Sequence, residues 1–257
     1  MSKPKILKNK YILPAGLLLL IILVWEIGLR VTDTPSYILP APFDVGKALI
    51  SDFGQLMSQS VVTISETILG MAIAVALSII GALFMDKLGV LKDAVYPLLA
   101  VSQAIPVIVL APIFIIYLGF GMAPKVLTVV LMCFFPIIVT FTDGLACVDT
   151  RLVDLARSYG ANTFQVYAII KVPAASDNLF SGMKIAATYS VTGAVVGEWL
   201  SSDSGLGYYM LITKNGYMLD KMFASILIVV ILSLIMNGLV RLVRYLLLPG
   251  LRKERES

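Results

Sequence analysis

The sequence contains no histidine, only two cysteines and few charges: Asp, Glu, Lys and Arg together make up 14% of its 257 residues. Without histidine there is no imidazole to relay protons or bind a metal. Cys133 and Cys147 fall within and at the end of one apolar run, so they imply no disulfide framework. No G-x-x-x-x-G-K-[ST] loop occurs, so any nucleotide must be bound by another chain. A membrane enzyme finds neither a metal-spaced cluster nor a nucleophile motif to support it. A stand-alone secondary transporter or channel would need more intramembrane charge, or an internal repeat, than is found here. The net charge of +4 is no nucleic-acid signal, because the basic residues sit at the ends of apolar runs.

What the sequence has in excess is apolar surface. Hydrophobic residues make up 59% and the mean hydropathy is +0.93, which places the chain in the integral membrane class. Apolar runs predict an all-α protein of about six spans, at 11–30, 60–85, 94–119, 124–146, 178–200 and 222–248, forming one domain over 1–257. The first is read as an uncleaved span, not a signal peptide, because it is long and ends in WEIGLR with no A-x-A site. Within it Glu26 and Arg30 lie one helical turn apart and are expected to pair. Residues 31–58 and 201–220 read as outer loops, with a short helix over 43–53. The third span is interrupted by Pro97, Pro106 and Pro112, and GMAP makes the turn that follows it. In the second span, Gly70, Ala74, Ser78 and Ala82 form a small-residue face suited to close helix packing. Of the 20 Lys and Arg residues, only Arg30, Lys47, Lys125, Lys214 and Lys221 fall on one side of this layout. The other 15 mark the cytoplasmic side, so both termini and the loop 147–177 are expected there.

That loop holds a polar island, DLARSYGANTFQVYAIIKVP, from Asp154 to Pro173. Leu152, Leu155, Ala156 and Tyr159 recur at helical spacing and give a short helix one apolar face, with Asp154, Arg157 and Ser158 opposite. Gly160 is expected to end it in the left-handed conformation. Asn162 then caps a second helix with Gln165 as reciprocal partner, and Pro173 is expected to close that helix. Two short helices at a glycine corner make a rigid knob for another protein to grip.

The spacing Asp-Leu-Ala, three residues, Gly160, nine residues, Ile170, one residue, Val172-Pro173 resembles the EAA loop of ABC importer permeases, E-A-A-x3-G-x9-I-x-L-P. Asp154, Leu155 and Val172 depart conservatively from it. YILPAP, SQAIPVIVLAP, GFGMAPK, FFPIIV and GEWLSSDSGLGYYM extend the likeness over nearly the whole chain, to permeases of the nitrate, sulfonate, taurine and pyrimidine-precursor group. Glu66 in TISETILG, where many sulfonate-type members carry arginine, makes it look closer to permeases for thiamine-precursor pyrimidines or riboflavin.

The resemblance implies a type I ABC importer permease fold in a multi-pass protein of the bacterial cell membrane. It implies a second copy in a homodimer, two copies of an ATPase subunit holding ATP and Mg, and an extracytoplasmic solute-binding protein. No cofactor is expected on this chain. Asp154, Leu155, Ala156, Tyr159, Gly160, Ile170 and Pro173 would couple to the ATPase.

Five residues are candidates for a solute pathway: Glu66, Gln103, Tyr189, Thr192 and Glu198. Glu66 reads equally as a pathway contact and as a helix-packing anchor, since a membrane carboxylate costs about 2.5–3.5 kcal/mol and is turned inward with a purpose. Glu198 reads first as a packing or interface residue. Gln103 lies near Pro106, where the backbone is opened. Ser190, Gly193, Ala194 and Gly197 form a small-residue stripe, suited first to packing within the subunit and second to a dimer seam.

Overall fold

Residues 12–248 are described by a computed structural model. The basic N-terminal residues to Lys10, Tyr11 and the tail from Pro249 lie outside the described residues, so the expected positions of the termini fall there as well. The elements are helices: α1 (Ile12–Val31), α2 (Pro42–Ser51), α3 (Phe53–Lys87), α4 (Gly89–Ser102), α5 (Val107–Leu118), α6 (Met122–Ala146), α7 (Thr150–Ser158), α8 (Thr163–Val166), a π-helical turn at Tyr167–Lys171, α9 (Val172–Ser201), α10 (Leu206–Asn215) and α11 (Leu219–Leu247). Among the described residues, five stretches are long and apolar enough to cross a membrane: α1, α3, α6, α11 and the continuous run Thr163–Ser201.

Two expectations are corrected here. The uncharged run 94–119 is not one span but α4 and α5, separated at residues 103–106, and neither reaches spanning length. Pro106 causes the break. It offers no N–H to continue the helix, and it biases the residue before it out of the helical region. Pro106 is itself extended (φ −62°, ψ 121°) and becomes the N-cap of α5, whereas Pro97 and Pro112 are tolerated inside their helices. Nor does Pro173 end a helix. The chain passes through it, because the preceding turn widens: the Val172 N–H reaches back five residues to the Tyr167 carbonyl. Such π-bulges relieve the clash of a proline ring with the turn before it. The outer segment 201–220 also holds a helix, α10, while the expected 43–53 helix forms as α2.

The described chain forms two units. One comprises 12–59 and 209–228, the other 60–208 and 229–248. In the first, Glu26 bonds Arg30 at 2.7 Å, as the i, i+4 spacing predicts, and its other oxygen accepts the Phe43 N–H at the start of α2. Trp25 packs on Phe223 with ring centroids 6.0 Å apart. Asp52 pairs with Lys221 at 2.8 Å and accepts the Tyr209 hydroxyl at 2.7 Å.

The second unit is built on α6 and α9, which run antiparallel. A Cβ on Gly193 would lie 3.1 Å from the Val129 Cα, and one on Gly197 would lie 2.9 Å from the Lys125 Cα. Only backbones without side chains approach so closely, so the stripe with Ser190 and Ala194 packs within the subunit. From α3, Gly70 lies against Val129 while Ala74, Ser78 and Ala82 are fully buried. The core around Met71, Val130, Cys133, Ile137, Phe180 and Ala187 fills the space between these helices.

Candidate functional site

The polar island folds as its residues dictate. Asp149 caps α7 by accepting the Arg151 N–H at 2.9 Å. At the other end Gly160 has φ +85°, a left-handed conformation open to glycine and disfavoured for β-branched residues. The Gly160 N–H bonds the Arg157 carbonyl and the Ala161 N–H bonds the Ala156 carbonyl, the paired bonds of a Schellman motif. Asn162 and Gln165 then exchange bonds of 2.9 and 2.8 Å in a complete capping box.

Val153 and Val166 are buried and anchor the loop, whereas Leu152, Leu155, Tyr159 and Phe164 are exposed, Tyr159 to 86% and Phe164 to 79%. Asp154 is exposed, while Ala156 and Ile170 are half-buried. The knob is tied to the membrane helices by Asp86 of α3, which pairs with Lys171 at 2.7 Å and accepts the Tyr167 hydroxyl at 2.5 Å. Below it, Arg244 of α11 pairs with Asp177 of α9 at 2.6 Å.

The five pathway candidates separate. Gln103 and Tyr189 line one cavity of about 670 Å³, together with Ser102, Met132, Phe135 and Thr140. No charged side chain lines it. The break before Pro106 is what brings Gln103 to its wall. Thr192 is exposed, does not line this cavity and bonds the Thr188 carbonyl.

Glu66 and Glu198 do not line the cavity either. Both are enclosed, at 1% and 0% exposure, in a polar cluster at the other end of the α6–α9 pair. Glu66 is ion-paired with Lys125 in the first turn of α6, itself only 4% exposed. The Lys125 ammonium also donates to Ser202 at 3.1 Å. Glu198 accepts the Thr63 hydroxyl and the Gly207 N–H, both at 2.6 Å, and Thr63 accepts the Leu206 N–H at 2.9 Å. Glu198 and Thr63 therefore fix the turn that opens α10. Gly205 (φ +105°) and Gly207 leave the room that the Glu198 carboxylate occupies.

A family described as "Binding-protein-dependent transport system inner membrane component" matches residues 74–253. The chain belongs to this family. Relatives of the permease include the formylaminopyrimidine transport permease protein ThiX of Halalkalibacterium halodurans, 33% identical over 94% of this chain and 96% of that one. The riboflavin transport system permease protein RibX of Chloroflexus aurantiacus is 31% identical over 91% and 88%. The putative aliphatic sulfonates transport permease protein SsuC of Bacillus subtilis is 29% identical over 94% and 89%. Among solved structures, an amino acid ABC transporter superposes with a TM-score of 0.61 at 17% identity, covering 77% of the permease and 97% of that chain. It shows the fold alone.

Sequence reasoning missed Lys125 and Thr63. The charge layout counts Lys125 only as one of five basic residues on the outer side. A signal was present: Glu66, buried near the same end of its span, needs a cation, and Lys125 follows the turn that leads back into the membrane at that end. Thr63 carried no such signal, since one threonine in an apolar helix is unremarkable.

Proposed function

We propose that the permease imports a thiamine-precursor pyrimidine or a related neutral heterocycle by alternating access, driven by two ATPase subunits that grip the 150–173 knob. The observation that carries this is the exposed apolar face of Leu152, Leu155, Tyr159 and Phe164, on a knob whose ends are capped and whose base is bonded to α3. Apolar side chains held rigidly in water suit a partner cleft, because their ordering is already complete before association. Asp154, Ala156, Gly160, Ile170 and Pro173 shape that knob. ATP bound by the partner would favour one arrangement of the spans and so shift their equilibrium. In this reading the permease works as a homodimer in the bacterial cell membrane with a solute-binding protein on its outer side, and ATP and Mg stay with the ATPase.

The substrate class rests on the cavity at Gln103 and Tyr189. An anion enclosed without a cation loses hydration that nothing replaces. A neutral ring instead finds the amide of Gln103, which both donates and accepts, the hydroxyls of Ser102 and Thr140, and the ring of Phe135. Glu66 plays no part in this selection, since Lys125 already matches its charge. The alternative is a sulfonate, taurine or nitrate permease, as one relative's name suggests.

The test is reconstitution in proteoliposomes with the cognate ATPase and binding protein. Uptake of formylaminopyrimidine, with a loss of at least tenfold for Gln103→Ala at unchanged ATPase association, is expected. Uptake of taurine or nitrate in its place would overturn the substrate class.

A further inference from the structure

A second cavity, of about 620 Å³, lies where α3 ends against the coupling knob. Ile80, Leu83 and Phe84 form one wall, and Phe164, Tyr167 and Ala168 form the other. Ile80 and Phe84 are exposed on the last turns of a membrane span, so this wall continues the surface that meets lipid chains. The mouth is basic. Lys87 lines it, is exposed and has no ion-pair partner among the described residues. Lys171 stands 5.3 Å over the Tyr167 ring. The carboxylate beside them, Asp86, is taken up by Lys171 and Tyr167.

The geometry points to a binding site for one anionic phospholipid, its acyl chain between α3 and the knob and its phosphate at Lys87. An apolar slot with a cationic mouth, at the depth where a span leaves the bilayer, complements such a lipid at both ends. A soluble anion would leave the slot empty. A basic peptide would meet like charge at the mouth. The bound lipid would brace Phe164 and Tyr167 against α3, so that lipid composition bears on coupling. This holds whichever solute the permease carries.

The site can be tested on the purified permease–ATPase complex by native mass spectrometry after exchange into phosphatidylglycerol or phosphatidylcholine of identical chains. Retention of phosphatidylglycerol over phosphatidylcholine is expected. Lys87→Gln should lower that retention about fivefold, the equivalent of about 1 kcal/mol for one basic residue at an anionic surface. Ala168→Trp, which fills the slot from an exposed position, should abolish it while ATPase association is kept. Lys92→Gln, a charge outside the cavity, should leave it unchanged. Equal retention of both lipids, an equal loss with Lys92→Gln, full retention in Ala168→Trp, competition by soluble glycerol phosphate alone, or loss of the lipid whenever the ATPase is bound would each overturn the assignment.

Discussion

Replacing Lys125 by methionine tests whether the Glu66–Lys125 pair anchors the outer end of the bundle or serves solute passage. The lysine is 4% exposed and its partner 1%, so water cannot take over when one is removed. Methionine keeps most of the lysine stem's packing, which isolates the charge. The change leaves two buried carboxylates, Glu66 and Glu198, with no cation in their cluster, and Ser202 loses its 3.1 Å donor. Breaking a buried pair from one side costs about 3–5 kcal/mol, a factor of roughly 10² to 10³ or more in the unfolding equilibrium. Glu66→Gln should cost less, about 1.5–3 kcal/mol, because its amide oxygen still accepts from the lysine. The double variant Glu66→Gln/Lys125→Met should recover about 2 kcal/mol or more of the Lys125→Met loss, since no uncompensated charge remains at position 66. Unfolding in mixed micelles, followed by tryptophan fluorescence, gives all three values. A double variant whose cost equals the sum of the two singles would refute the coupling. If the double variant then transports at the wild-type rate, Glu66 is an anchor alone. If it folds stably yet fails to transport, the pair belongs to the pathway after all.

Three other changes probe separate parts of the molecule. Gly160→Val forces a β-branched residue to φ +85°; it should leave the spans inserted but lower ATPase co-purification at least tenfold, and normal stoichiometry would count against the coupling knob. Gly205→Ala drives a methyl into the Glu198 carboxylate at φ +105°, and should expose the 202–207 turn to proteolysis; an unchanged cleavage pattern would mean the turn is not held by Glu198. Burial opposes charge on Asp52, but bonds from Lys221, Tyr209 and Ser51 outweigh it and hold its carboxyl below the usual range. A depressed carboxyl stabilises the fold above its unfolded value of about 4, and that contribution is lost as pH falls through the lowered value. Thermal stability of the wild type should therefore exceed that of Asp52→Asn near neutrality and converge with it in strong acid. A constant gap at every pH would be the contrary result.

What could be read from the sequence was whatever depends on neighbours along the chain. Gly160, the Asn162–Gln165 box and the small face at Gly70, Ala74, Ser78 and Ala82 each follow from residues within one or two turns of each other. The failures involve either backbone geometry that two rules contest or partners far apart in sequence. The sequence reading tolerates Pro97, Pro106 and Pro112 within one span and ends a helix at Pro173, yet nothing local says which outcome a given proline takes. At 106 the helix ends, while at 173 it survives because a wide turn absorbs the ring. Periodicity shows that Glu66 faces inward, but not that Lys125, 59 positions later, will face it, because that depends on the register of α3 on α6. Glu66, an even candidate for pathway contact or packing anchor by sequence, is met by that lysine, while Gln103 lines the cavity.

That register also gives the knob and the outer cluster a shared frame. The run from Thr163 to Ser201 is helical without interruption for 39 residues, about 58 Å at 1.5 Å per residue. One end carries Phe164 and Tyr167, and the other carries Glu198, which holds the turn at Leu206 and Gly207. Along most of the length between, glycines at 182, 193 and 197 seat it on the α6 backbone, where a small displacement meets atoms already in contact. Such a seam transmits motion along the helix axis better than across it, since close-packed backbones resist separation but two helices can shear. The π-turn at Tyr167–Lys171 is the place where the hydrogen-bond ladder widens, and it sits between the knob and the start of that seam. Asp86 ties both Tyr167 and Lys171 of that turn to α3, so a force on the knob meets α3 as well as α9.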